Sequence, residues 1–170
     1  ACAKLLAFNL IKCYRESYDM HATNGILFNH ESPRRGSSFV TNKIALGAVK
    51  IKKGLEDKLV LGNLDSTRDW GHAKDYVKVM WQLLQLDEPG DYICATSVSH
   101  SVRDFCEKTF SSLGMDYRDY VVQDPKFFRP TELCHLKGST EKLNKVIDLE
   151  FEYTFESMVE EMVEYWMERL

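Results

Sequence analysis

Apolar residues recur along the chain with two different periods, and the alternation between them marks out its elements. Leu5, Leu6, Phe8, Leu10 and Ile11, followed by Tyr14 and Tyr18, run on without a glycine or proline until Gly25. That spacing predicts a helix already under way at the first residue, because no N-cap and no first-turn acid precede it. Gly25-Ile26-Leu27-Phe28 is short, apolar and bounded by polar residues, the pattern of a buried strand. From Asn29 to Ser38 the chain is rich in turn formers and reads as a loop that delivers His30, Glu31, Arg34 and Arg35 together. Helical spacing resumes from Phe39 to Ile51, and Leu59-Val60-Leu61 is a short strand ending in Gly62-Asn63. Ala73, Tyr76, Val77, Met80 and Leu84 give the next helix one apolar face, and Tyr92 to Thr96 is another strand. Ser101-Val102-Arg103-Asp104 has the form of a capping box, opening a helix whose inner face is Val102, Phe105, Cys106, Thr109 and Phe110. Phe155, Met158, Val159, Met162, Val163, Trp166 and Leu170 then line one side of a final amphipathic helix, whose glutamates (Glu156, Glu160, Glu161, Glu164 and Glu168) read as its wet face.

Strands alternating with helices predict an α/β protein. Two or three strands are visible, and none is followed by a glycine-rich turn. A dinucleotide fingerprint needs G-x-G-x-x-G inside a βαβ unit of about 30 residues, and these residues contain none. They cannot by themselves build a complete nucleotide-cofactor site.

Composition narrows the function classes. With 44% hydrophobic and 28% charged residues, the 170-residue chain has the balance of a soluble globular domain or a large piece of one. A net charge of -4 gives no general attraction to nucleic acid, so an anionic ligand would need a local cluster of cations. No apolar run approaches the roughly 20 residues of a membrane span, and the first residues lack the order of a signal peptide. Neither nucleic acid nor membrane is expected as a partner. Cys2, Cys13, Cys94, Cys106 and Cys134 are scattered, form no C-x-x-C, and are not grouped with His at zinc-ligand spacing. They read as reduced structural cysteines of a cytoplasmic protein, with no metal site.

Three clusters carry chemistry. In Asn29-His30-Glu31-Ser32-Pro33-Arg34-Arg35-Gly36, two arginines beside a glycine suit forked hydrogen bonds to phosphate oxygens, although a solvated basic turn looks the same. Gly62-Asn63 with Arg68-Asp69-Trp70-Gly71-His72 puts another arginine in a polar loop before a helix, where core packing is the commoner fate of the tryptophan. In Phe127-Phe128-Arg129-Pro130-Thr131-Glu132 an arginine suits a phosphate and a glutamate suits a pair of sugar hydroxyls; the bland alternative is a surface ion pair worth about 0–1 kcal/mol. His21, His100 and His135 stand alone and read as satisfied or solvated side chains. Lys50, Lys52 and Lys53 read as the exposed end of a helix, and Ser37-Ser38 has no His and Asp arrangement for a nucleophile.

Asn24-Gly25-Ile26-Leu27-Phe28-Asn29-His30-Glu31-Ser32-Pro33-Arg34-Arg35-Gly36, continuing into Phe39-Val40-Thr41 and Lys43, closely resembles the GDP-mannose 4,6-dehydratases. So do Gly62-Asn63-Leu64-Asp65, Arg68 through Val77, His100-Ser101-Val102-Arg103, and Phe128 through Glu132. The likeness runs in order along nearly the whole chain and fades after Gly138; Ile147 to Tyr153 departs from the family's usual turn, which touches the tail more than the site.

The resemblance implies the C-terminal part of an extended Rossmann-type short-chain dehydrogenase/reductase fold, with the last strands and helices of the Rossmann sheet plus a small substrate-binding domain. Residues 1–170 would form the C-terminal portion of an NADP-dependent sugar-nucleotide dehydratase whose N-terminal NADP-binding half is absent. The family signature is Tyr-x-x-x-Lys on a helix; Lys4 matches the lysine, which sets the tyrosine one residue before Ala1. The implied reaction turns GDP-mannose into GDP-4-keto-6-deoxymannose plus water: oxidation at C4, loss of water across C5 and C6, and return of the hydride to C6. Lys4 would be the catalytic lysine, holding the nicotinamide ribose and lowering the tyrosine pKa. The match makes Lys4, His30 and Arg35 cofactor-binding, and Asn29, Lys43, Arg68, Arg129 and Glu132 substrate-binding. NADP is the expected cofactor, GDP-mannose the expected ligand, and a homodimer or homotetramer the expected assembly of the intact protein. The rivals are another nucleotide-sugar dehydratase or epimerase and a non-catalytic GDP-sugar-binding fragment, with this chain alone expected to be inactive.

Overall fold

The computed structural model describes residues 1–128, 133 and 135–170. In chain order α1 (Cys2–Tyr18) leads into β1 (Asn24–Leu27), β2 (Asn29–Glu31) and α2 (Val40–Lys52). Three short strands, β3 (Leu59–Leu61), β4 (Thr67–Arg68) and β5 (Trp70–His72), precede α3 (Ala73–Leu83). Then come β6 (Asp91–Cys94), β7 (His100–Ser101), α4 (Val102–Ser112), β8 (Val121–Gln123) and α5 (Phe155–Arg169). The strands pair two by two. β1 with β6, β2 with β5 and β3 with β8 are parallel; β4 with β7 is antiparallel. Parallel pairs joined through helices confirm the α/β class.

Two hydrophobic clusters form the core. In the larger one α2, α4 and α5 pack together over β3, with Ile44, Val49, Phe105, Phe110, Met158 and Met162 buried. Each such side chain contributes about 1.5–3 kcal/mol when fully withdrawn from water. Trp70 meets Phe105 edge-on at 5.5 Å and belongs to this cluster, the packing fate expected of it. The smaller cluster sets Tyr76, Val79 and Leu83 of α3 against Tyr92, Cys94 and Leu143. Burial pushes the Cys94 and Cys106 thiols up to about 12, so both are inert core groups. Cys2 and Cys13 are exposed on α1 and are not structural, and Cys134 lies outside the described residues.

The capping box opening α4 forms as read: Ser101 Oγ accepts from the Asp104 N–H at 3.0 Å, and Asp104 Oδ2 from the Ser101 N–H at 2.8 Å. Its inner face is the predicted one, with all five residues buried. Several other expectations change. Asn29–Glu31 is a strand, because its backbone finds a partner in β5. Eight short strands are present among the described residues where two or three were legible, several being only two or three residues long. β1 is a strand but not a buried one: Ile26 is 42% exposed, because among the described residues β1 pairs on one side only. On α3 the buried face carries Asp75, Tyr76, Val79 and Leu83, while Val77, Met80 and Leu84 of the expected apolar face are exposed. The buried carboxylate of Asp75 decides this rotation, since it accepts from the N–H groups of Glu152 and Tyr153 at 3.0 and 3.2 Å. α1 buries no residue at all, leaving Leu5, Leu6, Leu10 and Tyr14 exposed. It is tethered instead by Arg15, which donates to both Asp91 oxygens at 3.0 and 3.1 Å and holds that carboxyl below the usual range. No helix among the described residues is long and apolar enough to cross a membrane.

Between the two clusters lies Asp69, fully buried at the joint of β4 and β5. Its carboxylate accepts from the Thr96 N–H at 2.8 Å, the Thr96 hydroxyl at 2.7 Å, the Ser97 N–H at 3.0 Å and the Gly138 N–H at 3.2 Å. Those bonds hold Ser97 in a left-handed conformation, φ 61°, that a non-glycine residue adopts only under constraint. Removing one partner of a buried hydrogen-bonded network leaves the others desolvated and unpaired. Asp69→Ala is therefore expected to destabilise the chain by about 3 kcal/mol or more, read as a drop in the urea midpoint. A loss below about 1 kcal/mol, the scale of a single ordinary hydrogen bond, would show that the joint does not depend on this carboxylate.

Candidate functional site

A cavity of about 480 Å³ opens where β2, the N-terminus of α2 and the β3–β4 loop meet. Asn29, Arg35, Lys43 and Arg68 all line it, so four of the expected binding residues converge in space from three separated stretches of chain. No carboxylate lines it among the described residues, which leaves three cations around one volume. Neutral groups contact each of these cations, and Arg35 also has the buried Glu31 carboxylate behind it, its Nε 3.3 Å from Oε2. Lys43 Nζ donates to Val60 O at 2.7 Å and stands 4.9 Å from the centre of the Phe127 ring. Arg68 Nη1 donates to Thr67 O and Leu133 O, both at 2.7 Å. The Arg35 guanidinium lies 3.7 Å over the Phe39 ring, within cation–π range.

Local backbone explains the shape. Phe39 is the N-cap of α2 and offers no side-chain acceptor, and there is no acid in the first turn. With Ser38, Phe39, Val40 and Lys43 on the wall, the uncapped N–H groups and the positive end of the helix dipole border the cavity. Gly62 lets the Phe127 backbone close in: a Cβ there would stand 2.8 Å from Phe127 O.

The other expected residues are elsewhere. Lys4 is exposed on α1 and does not line the cavity. His30 is half-buried beside Tyr76, ring centroids 5.3 Å apart, with Nδ1 2.9 Å from Phe28 O. A carbonyl can only accept, so Nδ1 is the donor in this contact, and in that tautomer of the neutral ring Nε2 is an acceptor. Arg35, grouped by resemblance with Lys4 and His30, shares its cavity with the nucleotide-sugar set instead. Arg129 and Glu132 lie outside the described residues. No cluster of His, Cys, Asp or Glu able to hold a metal ion occurs among the described residues.

A second cavity of about 360 Å³ lies on the other side of Trp70, which lines both. Its walls are largely aromatic: Phe151, Tyr153 and Phe155, with His100 stacked on Phe155 at 3.8 Å. Ile147 to Tyr153, whose departure from the family turn was expected to touch the tail more than the site, thus supplies Phe151 and Tyr153 to this second cavity. His72 clasps it. Its ring is fully buried, stacks on Tyr153 at 3.7 Å, accepts the Lys74 N–H at Nδ1 over 3.1 Å, and has Nε2 2.6 Å from Glu161 Oε2. Glu161 is accordingly not part of a purely wet face; it also pairs with Lys74 at 3.0 Å.

A family-wide sequence profile described as GDP-mannose 4,6 dehydratase matches residues 1–162. The chain belongs to the GDP-mannose 4,6-dehydratase family. It is 48% identical over 151 residues to GDP-mannose 4,6 dehydratase 1 of Arabidopsis thaliana, covering 89% of this chain and 42% of that one. Over 190 residues it is 45% identical to the GDP-mannose 4,6-dehydratase of Vibrio cholerae, covering 96% and 51%. The human GDP-mannose 4,6 dehydratase is 44% identical over 178 residues, covering 95% and 48%. The chain spans about half the length of the curated relatives it matches. In fold it superposes on RMD from Pseudomonas aeruginosa, solved with NADPH, with a TM-score of 0.89 at 22% identity over 99% of this chain and 55% of that one. It also superposes on the dTDP-glucose 4,6-dehydratase of Bacillus anthracis, solved with NAD, with a TM-score of 0.80 at 20% identity over 95% and 50%. The expected fold, part of an extended short-chain dehydrogenase/reductase, is the observed one.

Sequence reasoning placed Glu31 and Asp69 inside chemistry-bearing clusters without giving either a specific role, and gave none to Thr41 or to Phe39 and Phe127 on the cavity wall. A buried acid in a polar stretch carries no periodic signal, so only the fold reveals it.

His72 makes a pH prediction. Burial lowers its pKa, only partly offset by Glu161, so the native chain keeps the ring neutral while the unfolded chain protonates it near pH 6.5. The unfolded state then binds the extra proton, and stability falls as pH drops below about 6.5. Glu31, whose pKa burial raises, acts in the opposite sense over lower pH. The decisive comparison is therefore wild type against His72→Asn, which keeps a cap acceptor and cannot titrate. Urea midpoints of the two should converge as pH falls from 7 to 5; parallel profiles would remove His72 from the clasp.

Proposed function

We propose that this chain provides the nucleotide-sugar grip of a GDP-mannose 4,6-dehydratase, the activity named for its relatives. The observation that carries the reading is the convergence of Asn29, Arg35, Lys43 and Arg68 on one cavity free of carboxylates among the described residues. A diphosphate brings charge that three cations and a helix N-terminus can offset, and the Asn29 amide can bridge hydroxyls. Charge-assisted hydrogen bonds of this kind contribute about 1.5–3 kcal/mol each. Arg129 and Glu132 are assigned to the same ligand by resemblance.

NADP, when bound, supplies the hydride acceptor and donor. The fit of these residues to it is limited to one end. His30 offers an acceptor at Nε2, and Lys4 offers an ammonium on an exposed helix, both suited to ribose hydroxyls. No glycine-rich phosphate cradle occurs in the sequence. Lys4 would act on a neighbouring phenol by charge, favouring its ionised form. The apolar face of α1, which buries nothing here, suits coverage by the rest of the family fold and by a second subunit in a homodimer or homotetramer. The 170 residues by themselves would then bind without turnover.

Calorimetry with GDP-mannose, alongside an assay for the 4-keto product, tests both statements. Binding without product is expected, and product formed by this chain alone would overturn the division of labour. Arg68→Ala should weaken GDP-mannose binding by about tenfold to a hundredfold in protein whose circular dichroism is unchanged. Unaltered affinity would take Arg68 out of the grip.

A further inference from the structure

Among the groups that the proposed function leaves unused, Glu31 has the most unusual setting. It ends β2, is 1% exposed, and stands one residue from His30 and two from Asn29. A carboxylate withdrawn from water is costly unless it is paired and hydrogen-bonded. Its partners are Thr41, whose hydroxyl donates to Oε2 at 2.6 Å, and Arg35, whose Nε lies 3.3 Å from the same oxygen. Burial raises its pKa, opposed by Thr41 first and Arg35 next. It pairs closely with no other cation among the described residues.

Arg35 is constrained at several points. The Asn42 side-chain amide donates to its carbonyl oxygen, and Trp166 Nε1 donates to Asn42 Oδ1 at 2.6 Å, which ties this turn to α2 and α5. Phe39 lies beneath the guanidinium. Yet Arg35 Nε is buried and makes no hydrogen bond, so Glu31 attracts it by charge at a distance rather than closing a directional bond. Such a contact aims a guanidinium without using up its forked donors.

We propose that Glu31 is a positioning residue for Arg35: a buried counter-charge, fixed by Thr41, that holds the guanidinium over Phe39 and toward the cavity for an anionic, phosphate-bearing ligand. Glu31 itself does not touch the ligand. The inference rests on the reading of the cavity as a phosphate grip.

A double-mutant cycle on the full chain tests it, with GDP as the probe and calorimetry as the readout. Residues in direct contact couple, whereas independent ones add. Arg35→Ala should weaken GDP binding about tenfold or more, the scale of a lost charge-assisted contact. Glu31→Gln, isosteric and able to accept from Thr41, should weaken it about fivefold in the wild-type background and less than about twofold in the Arg35→Ala background. An equal loss in both backgrounds would mean that Glu31 supports the fold generally, and would overturn the inference alone. So would no loss from Glu31→Gln while Arg35→Ala is impaired. If Arg35→Ala binds GDP normally, the placement of Arg35 in the grip fails, and the inference fails with it. Glu31→Asp, which keeps the charge and withdraws it by one methylene, carries the same cycle should Glu31→Gln not fold.

Discussion

The buried carboxylate of Asp69 is the contact on which the rest of the arrangement turns. It sits in a run where each residue faces a different task. Thr67 and Arg68 form β4 at the edge of the cavity, and Asp69 gathers the Thr96–Ser97 turn and Gly138. Trp70 enters the larger core, Gly71 yields space to the Tyr76 ring, and His72 caps α3. A strand alternates its side chains between two faces, so a short run can serve both cores and the cavity only if its backbone is fixed. Four donors on one ionised acceptor supply that fixity, because charge-assisted hydrogen bonds in a dry setting are the strong ones. The cost of desolvating the charge is offset there, and the cavity inherits the precision.

The cavity itself follows a different electrostatic rule. An acidic chain, net charge -4, concentrates Arg35, Lys43 and Arg68 at one place and keeps carboxylates off its wall among the described residues. A carbonyl oxygen and the Phe127 ring hold Lys43, and the Phe39 ring lies under the Arg35 guanidinium. Had aspartates done the same work, each ion pair would have competed with the ligand for its cation. Glu31 is the instructive exception, buried behind Arg35 rather than placed on the wall. The diphosphate proposed for this cavity would be attracted more strongly the less water the cavity keeps.

Much of this was legible in the residues, for reasons that can be located. The helix faces of α4 and α5 could be read because their apolar residues all meet one core, as Phe105, Phe110, Met158 and Met162 do. The face of α3 could not. It carries apolar residues all round, and a polar residue, Asp75, decides which side turns inward by binding the Glu152 and Tyr153 amides 77 and 78 residues away. Strand β2 escaped notice because Asn, His and Glu have no strand signature, and pairing with β5 supplied what local propensity lacked. Asn29, Lys43 and Arg68 were found by resemblance, yet their convergence is a property of the fold alone. Glu31 and Asp69 share one cause of invisibility: a buried acid looks like a surface acid until its partners are known.

The separation between α1 and the cavity bears on how the family's chemistry is divided. α1 contributes nothing to either core and is tied down chiefly through Arg15, Asp91 and the Asn24 amide, which donates to Phe8 O at 3.2 Å. The cavity, by contrast, is built on α2, the β3–β4 loop and the Asp69 joint, all anchored in the larger core. A structure whose cavity is set in the core while the lysine-bearing helix rests on a few polar tethers can keep the geometry of that cavity whether or not α1 is covered. Local stability follows local burial, so α1 should open in hydrogen exchange well before α2 or α4. In this fold the cavity and the helix that carries Lys4 thus rest on elements with separate sources of stability.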